Sequence, residues 1–267
     1  AGEPVAGIPF GRIDDIKGRR LVALPFSDYC DPLVETPEQW DRLVEQLLAK
    51  QCPLRLRPLH TDIPLHDARF MLHQRAKWHG MGLHATAEEV WERWRGSARR
   101  AIRKAQQGGV IVRPAESEMD LRAFFEMHLT TRKYKYHLLA QPYRFFQKIW
   151  EHLLVPQKGT LLLATVAGEV VGGTLYLMWK ETLYYKFNAS HPEFLSYRSN
   201  DLLVWEGVHY AKAHGLSYLD FGLSDWDQEG LIRFKRKFAS DEKTISFLRH
   251  EPAGVAQPDT AQLSHIL

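Results

Sequence analysis

The sequence is poor in cysteine and has no long hydrophobic run. It contains only two cysteines, Cys30 and Cys52, too few for a disulfide framework or a cysteine-ligated metal cluster, and this usage fits a reducing compartment. No stretch approaches the roughly eighteen consecutive apolar residues that a membrane-spanning helix needs, and no secretory signal is visible. From these absences we expect a cytoplasmic protein without stable membrane insertion.

Charge and composition exclude further classes of protein. The chain of 267 residues has 35 lysines and arginines against 32 acidic residues, a formal net charge of +3, which is too small to indicate a nucleic-acid partner by itself. Thirteen histidines occur without an HExxH pair or a cysteine-spaced set, so we predict no metal site. With 45% apolar and 25% charged residues, the composition is typical of a globular protein with a sizeable core.

Two pairs of similar segments occur in the same order along the chain. Residues 1–10 resemble residues 167–176, and residues 49–54 resemble residues 211–216. Each hairpin-like segment precedes a helix that ends in Ala-Lys, so we predict a duplicated lobe. The first copy has no counterpart of the helices and strand that precede the hairpin in the second, and we therefore expect further residues upstream. The predicted parts are a first lobe at 1–112, a second lobe at 113–250 and a tail at 251–267.

The helix and strand signals favour an α/β (α+β) fold with mixed sheets flanked by helices. Thr86 and Glu89 form a capping box that opens one long basic helix ending at Gly108, whereas the region before it is rich in loops. A strand at 182–189 leads through a helix at 201–214 to another strand, a parallel crossover that favours a ligand at the strand-to-helix junction. The strands predicted for the second lobe are 160–166, 169–179, 182–189, 216–221 and 244–249.

Five short passages, spread over most of the chain, match a known family in the same order. They are Leu-Pro-Phe-Ser-Asp-Tyr at 24–29, Ala-Arg-Arg-Ala-Ile-Arg-Lys-Ala at 98–105, Asn-Asp-Leu-Leu-Val-Trp-Glu at 200–206, Asp-Phe-Gly at 220–222 and Phe-Lys-Arg-Lys-Phe at 234–238. Together with the duplication, they resemble the Fem-type (FemAB-like) branch of the GNAT acyltransferase superfamily. The resemblance implies tandem GNAT lobes and transfer of an acyl or aminoacyl group onto an amine of a cell-envelope precursor of the peptidoglycan type.

The acyl donor is the point at which the chain departs from ordinary GNAT enzymes. Their Gly-rich pyrophosphate loop is absent between Ser190 and Asn200. The resemblance therefore implies charged tRNA as the donor, no bound cofactor, and a nucleotide-linked or lipid-linked precursor as the acceptor. Two alternatives remain open: an acyl-CoA-dependent N-acyltransferase of polysaccharide modification, and a non-catalytic module that binds RNA or an anionic glycan.

Two residues are candidates for catalysis. Lys235 stands in a Phe-Lys-x-x-Phe segment, and the resemblance implies that it stabilises charge in the active site. Spacing alone favours a solvated surface lysine beside Arg233, Arg236 and Lys237. Asp220 ends a predicted buried strand, where a carboxylate can act as a base or orient an amine, or instead cap the turn that follows.

Three basic residues are candidates for binding the substrate. Arg99 and Arg103 belong to the long basic helix, whose cations form a face suited to phosphates. The alternative is that these cations complement the helix dipole. Arg132 closes the first helix of the second lobe, where a cation is also ordinary.

Three further candidates surround the predicted crossover. Arg198 and Asn200 stand where an anion would meet the helix N-terminus, and an arginine there suits a bidentate contact with phosphate. Their alternatives are a surface arginine and a helix-capping asparagine. Tyr185 lies on the strand that leads into the crossover. Its side chain either contacts the substrate or packs in the hydrophobic core.

Overall fold

The computed structural model describes residues 5–15, 18–135 and 137–253. These residues form two compact units. The first unit takes its described residues from 1–78, 223–228 and 243–267, and the second consists of the described parts of 79–222 and 229–242. The predicted lobes concern common ancestry, which this division does not test, so the duplication stays a prediction. Most of the predicted tail, residues 254–267, lies outside the described residues.

The first unit is a small sheet covered by one helix. The helix, α1, begins with Thr36, whose hydroxyl accepts a hydrogen bond from the amide of Gln39 at 3.3 Å. The Gln39 side chain accepts from the amide of Glu35, so the helix starts where the sequence predicts. Its buried residues Trp40 and Val44 belong to the core of this unit. The elements are β1 (Phe10–Asp15), β2 (Gly18–Ala23), α1 (Pro37–Leu48), β3 (Leu54–Leu56), the first part of β4 (Met71–Gly82) and most of β10 (Asp241–His250).

The strands of the first unit pair in both directions. Strands β1 and β2 form an antiparallel hairpin, β2 and β3 are parallel, and β3 and β10 are antiparallel. Within this unit the order is β1-β2-β3-β10-β4. The sequence interpretation placed β4 in a loop-rich region, which is wrong. Its first five residues are all exposed, so this half of the strand lacks the apolar alternation from which a strand is recognised.

The second unit is a mixed sheet with helices on both faces. Its strand order is β4-β9-β8-β7-β6-β5. Strands β5 to β8 form an antiparallel meander, and β8 pairs with β9 in parallel. The elements are α2 (Ala87–Arg93), α3 (Gly96–Gln107), β5 (Ile111–Pro114), α4 (Glu118–Thr130), α5 (Tyr143–Ile149), β6 (Gly159–Val166), β7 (Glu169–Trp179), β8 (Thr182–Ser190), α6 (Ser199–Ala213), β9 (Tyr218–Asp225, to residue 222) and α7 (Glu229–Lys235).

Alternating residues of the central strands supply two separate cores. Leu161 and Leu163 of β6 pack with α4 and α5, whereas Leu162 and Ala164 pack with α2, α3 and α6. Successive side chains of a strand point to opposite faces, so the sheet is buried on both sides. This arrangement confirms the predicted α/β fold with a mixed sheet flanked by helices. It also confirms the crossover, because α6 connects the parallel strands β8 and β9.

The predicted long basic helix is two helices. The capping box is present, since Thr86 and Glu89 exchange side-chain-to-backbone hydrogen bonds, but α2 ends at Arg93 and α3 begins at Gly96. Between them, Trp94 has extended backbone and is 4% exposed. Its indole N–H lies 3.2 Å from Sδ of Met81. Burying this large ring supplies more free energy than the helical hydrogen bonds lost at the break.

The described residues contain no helix that is long and apolar enough to cross a bilayer.

Candidate active site

Strand β9 turns sharply at the end of the second unit. The carboxylate of Asp220 accepts a hydrogen bond from the amide of Gly222 at 2.6 Å, and Asp220 is 4% exposed. Gly222 has φ of 69°, a backbone conformation that favours glycine. Asp220 therefore caps this turn, as the sequence allowed, and holds the amide of Gly222 in place.

Lys235 points into the protein at the same place. It is the last residue of α7 and is 3% exposed, so it is not a solvated surface lysine. Its Nζ donates to the carbonyl oxygen of Gly222 at 3.1 Å. A buried ammonium is costly unless it is hydrogen-bonded. The two predicted catalytic residues thus bind the same glycine: Asp220 accepts from the amide of Gly222, and Lys235 donates to its carbonyl oxygen.

A histidine that the sequence interpretation did not single out lies beside them. His79 on β4 is fully buried, and its Nε2 donates to Oε2 of Glu242 at 3.0 Å. Arg236 donates to both carboxylate oxygens of Glu242. Burial lowers the pKa of His79, the bond to Glu242 opposes that shift, and the charge of Lys235 adds to it. In the sequence, only the alternation of apolar Trp78 with its polar neighbours indicates that this histidine lies on a strand.

The start of α6 holds a carboxylate. Asp201 lies in the first turn of α6, is 3% exposed and forms an ion pair with Lys237. Burial raises the pKa of Asp201, and the bond from Lys237 opposes that shift. Arg198 is the residue before the helix, has φ of 62° and is exposed, and its side chain makes no capping hydrogen bond. The positive end of this helix therefore already faces a negative side chain.

The other two candidates near α6 take part in internal contacts. Asn200 accepts a hydrogen bond from Nδ2 of Asn188 at 3.1 Å and donates to Oγ of Ser190 at 3.2 Å. It lies inside the helix rather than at its cap. Tyr185 is partly buried against the rings of Tyr176 and Phe221, at centroid distances of 5.6 and 5.9 Å. Asn200 thus ties α6 to β8, and Tyr185 packs on the core.

The remaining arginines lie on other surfaces of the second unit. Arg103 places its guanidinium 5.5 Å from the centre of the Trp91 ring, beside a cleft of about 370 Å³ that Trp205 also lines. Arg99 forms an ion pair with Glu92, one helix earlier. Arg132 lies in a wide turn after α4 and donates to the carbonyl oxygen of Leu139 at 3.1 Å. Among the described residues, none of the three forms a hydrogen bond or ion pair with Asp220, Lys235 or His79.

The part of the chain that the structure describes contains no group of three or more histidine, cysteine or acidic side chains that could hold a metal ion. The groups near Lys235 are instead an ammonium, carboxylates and one imidazole, which suit charge stabilisation and proton handling.

A family model identifies the protein family of the chain. The model of the acetyltransferase (GNAT) domain matches residues 92–236, more than half of the chain. The chain belongs to the GNAT family. The match includes every candidate named above from Arg99 to Lys235. The family is one of acyltransferases, which confirms the enzyme class that the sequence predicts. No curated protein matches the chain in sequence.

Solved structures show the same fold over nearly the whole chain. A crystal structure of FemX is 14% identical, with a TM-score of 0.66, and the match covers 90% of this chain and 83% of FemX. The C-terminal domain of a putative lysylphosphatidylglycerol synthetase from Agrobacterium fabrum is 12% identical, with a TM-score of 0.61 and coverage of 98% and 87%. L-PGS from Bacillus licheniformis is 13% identical, with a TM-score of 0.59 and coverage of 98% and 84%. This GNAT protein therefore has a Fem-like fold, as its sequence predicts.

Proposed function

We propose that this GNAT protein transfers an aminoacyl group from charged tRNA to an amine or hydroxyl of a cell-envelope precursor. The observation that carries the proposal is the burial of Lys235 against Gly222, in a chain whose fold is shared with FemX and with a lysylphosphatidylglycerol synthetase domain. The name of the second relative points to an envelope lipid, and the resemblance of the sequence to Fem-type enzymes implies an envelope precursor. For the acceptor we favour a nucleotide-linked or lipid-linked precursor of the peptidoglycan type.

The proposed reaction is direct transfer within the second unit. The acceptor nitrogen or hydroxyl oxygen bonds to the carbonyl carbon of the aminoacyl ester, the ester C–O bond breaks, and the proton lost by the acceptor passes to the released ribose oxygen. The ammonium of Lys235 stabilises the negative charge that develops on the carbonyl oxygen, and such a charge acts strongly in a site of low dielectric. Both cysteines belong to the first unit, so no thiol in the second unit forms a covalent intermediate.

Asp220 has a positioning role in this proposal. Its carboxylate fixes the turn at Gly222, and the carbonyl of that glycine in turn accepts from Lys235. Asp220 therefore acts on the reaction through the placement of the ammonium. Among the substrate-binding candidates, exposed Arg198 and Arg103 are suited to phosphates of the donor, and Arg99, Arg132, Tyr185 and Asn200 support the surfaces around them.

Two observations favour tRNA over acyl-CoA as the donor. The chain has no Gly-rich loop before α6, and the first turn of α6 carries the buried carboxylate of Asp201. A pyrophosphate at that helix end would meet the Asp201–Lys237 ion pair, where a Gly-rich loop would offer free backbone N–H groups. The acetyltransferase description of the family model favours acetyl-CoA as the second candidate donor.

Mass spectrometry of the acceptor tests the reaction. The protein is incubated with a pool of charged tRNA and, in separate arms, a UDP-linked muropeptide or vesicles containing phosphatidylglycerol. A further arm replaces the tRNA with acetyl-CoA. The catalytic variant is Lys235→Ala, and the control is Arg233→Ala, which removes an exposed cation from the same helix.

The expected result is a gain of one amino-acid residue mass on one acceptor, kept by Arg233→Ala and lost by Lys235→Ala at unchanged helix content. A gain of an acetyl mass only in the acetyl-CoA arm would show that the donor is acetyl-CoA and not charged tRNA. If no acceptor gains mass in any arm and the protein binds RNA tightly, the proposed reaction is wrong and the protein is a binding module.

A further inference from the structure

A small cavity lies where the basic helix breaks between α2 and α3. Its volume is about 190 Å³, and it belongs wholly to the second unit. The end of α2, the start of α3, the end of β4 and the segment after α7 all contribute to it. The lining residues are Met81, Gly82, Val90, Arg93, Trp94, Arg95, Arg236, Lys237, Phe238, Ala239 and Ser240.

Four of the lining side chains are cations, and two of them are already neutralised. Arg236 is paired with Glu242, and Lys237 is paired with Asp201. Arg93 and Arg95 are exposed, and no carboxylate among the described residues forms an ion pair with either. The cavity therefore carries an excess of two positive charges.

The start of α3 adds to this excess. Arg95 occupies the N-cap position of α3 and gives no side-chain capping hydrogen bond. The N-terminus of a helix carries a partial positive charge and orphan N–H groups, for which a carboxylate or hydroxyl is the usual partner. Arg95 therefore places a further positive charge at that helix end, and an anion bound there would offset both charges.

Most of the other walls of the cavity are apolar. Trp94 and Phe238 lie against one another, with ring centroids 4.9 Å apart, and Met81 and Val90 are buried. A cavity of this size is below the range of about 300 to 1,000 Å³ that encloses a whole drug-sized ligand. It suits one compact anionic group whose remaining substituent extends into solvent.

We propose that this cavity binds a phosphate or diphosphate group, held by Arg93 and Arg95 at the start of α3. Two guanidinium groups give bidentate, charge-assisted hydrogen bonds to phosphate oxygens. Arg236 and Lys237 follow Lys235 directly in the chain, so the site adjoins the segment that carries the ammonium. That the phosphate belongs to a substrate of the transfer reaction rests on the proposed function.

Calorimetric titration with inorganic pyrophosphate tests the site without requiring turnover. The test variant is Arg93→Gln/Arg95→Gln. The control is Arg144→Gln/Lys158→Gln, which removes the same charge from exposed positions outside the cavity. Thermal melting with and without pyrophosphate provides a second readout, because a ligand that binds only the folded state raises Tm. Uridine diphosphate and glycerol 3-phosphate, titrated in parallel, distinguish a nucleotide from a lipid headgroup as the source of the phosphate.

We expect wild type and control to bind pyrophosphate and to melt higher in its presence. The test variant should bind about tenfold more weakly or worse, a loss of about 1.4 kcal/mol, because it lacks both charge-assisted contacts to the phosphate. Should that variant not fold, the single variants Arg93→Gln and Arg95→Gln take its place. Absence of binding by wild type, or equal weakening in test and control, overturns the site. Binding without aminoacyl transfer leaves the site intact and counts against the proposed function alone.

Discussion

Nζ of Lys235 lies 3.1 Å from the carbonyl oxygen of Gly222 and donates a hydrogen bond to it. This contact joins the end of α7 to the turn of β9. On the other side of the same glycine, the amide is held by Asp220. The position of the ammonium thus depends on the backbone conformation of one residue, which has φ of 69°.

Gly222→Ala should therefore affect both stability and transfer. An L-residue with a β-carbon pays about 1 to 2 kcal/mol in this left-handed conformation, and relief of that strain would turn the carbonyl away from Lys235. We expect a loss of about that size in the free energy of unfolding, measured by urea denaturation, and a lower transfer rate. Gly230→Ala is the control, because its added methyl group meets open space. Equal rates in the two variants would contradict the positioning role of the turn.

Stability should fall as the pH drops below about 6.5, the ordinary pKa of histidine. Burial lowers the pKa of His79 despite its bond to Glu242, and the charges of Lys235 and Arg236 oppose its protonation. Its folded pKa is thus below its unfolded pKa, so the unfolded state binds more protons and acid favours unfolding. The contribution of neutral His79 to the free energy of unfolding is fully present above about pH 6.5 and is lost as the pH falls through the folded-state pKa of His79.

Melting curves between pH 7.5 and about 5 check this dependence. His79→Gln should lose less stability than wild type over that range, while exposed His84→Gln should follow wild type. Buried His128 also has a pKa lowered by burial, so part of the acid sensitivity should remain in the His79 variant. An unchanged slope in His79→Gln would show that this imidazole does not titrate on unfolding.

Gly207→Ala should destabilise the packing of α6 on the sheet. Replacing a helical glycine by alanine in open space usually stabilises by up to about 1 kcal/mol. Here the added methyl group would lie 2.6 Å from the ring of Tyr176, whose hydroxyl donates to the carbonyl oxygen of Leu203. We expect a net loss of about 1 to 3 kcal/mol, typical of an overpacked core, by urea denaturation. If Gly207→Ala is as stable as Gly230→Ala, the ring of Tyr176 moves aside without loss of stability, which would contradict this prediction.

Local patterns predicted much of the second unit. The strands β6, β7 and β8 were recognisable from apolar runs between tight turns, and α6 from the break at Gly215 that follows it. These elements are stabilised by interactions of residues close in sequence, so a single chain carries their signals. The sequence could not locate β4, because its exposed half shows no alternation of apolar and polar residues and its pairing partners are far away in the chain.

The sequence by itself determined the family, the order of the elements from α4 to β10 and the two candidate catalytic residues. The tertiary structure alone decided that Lys235 is buried, that His79 lies beside it, and that the basic helix breaks at Trp94. Each of these depends on a long-range contact: a carbonyl of β9 for the lysine, Glu242 for the histidine, and Met81 and Phe238 for the tryptophan. Periodicity and caps report the free energy of local structure, whereas the burial of an individual side chain depends on partners that only the folded chain brings near.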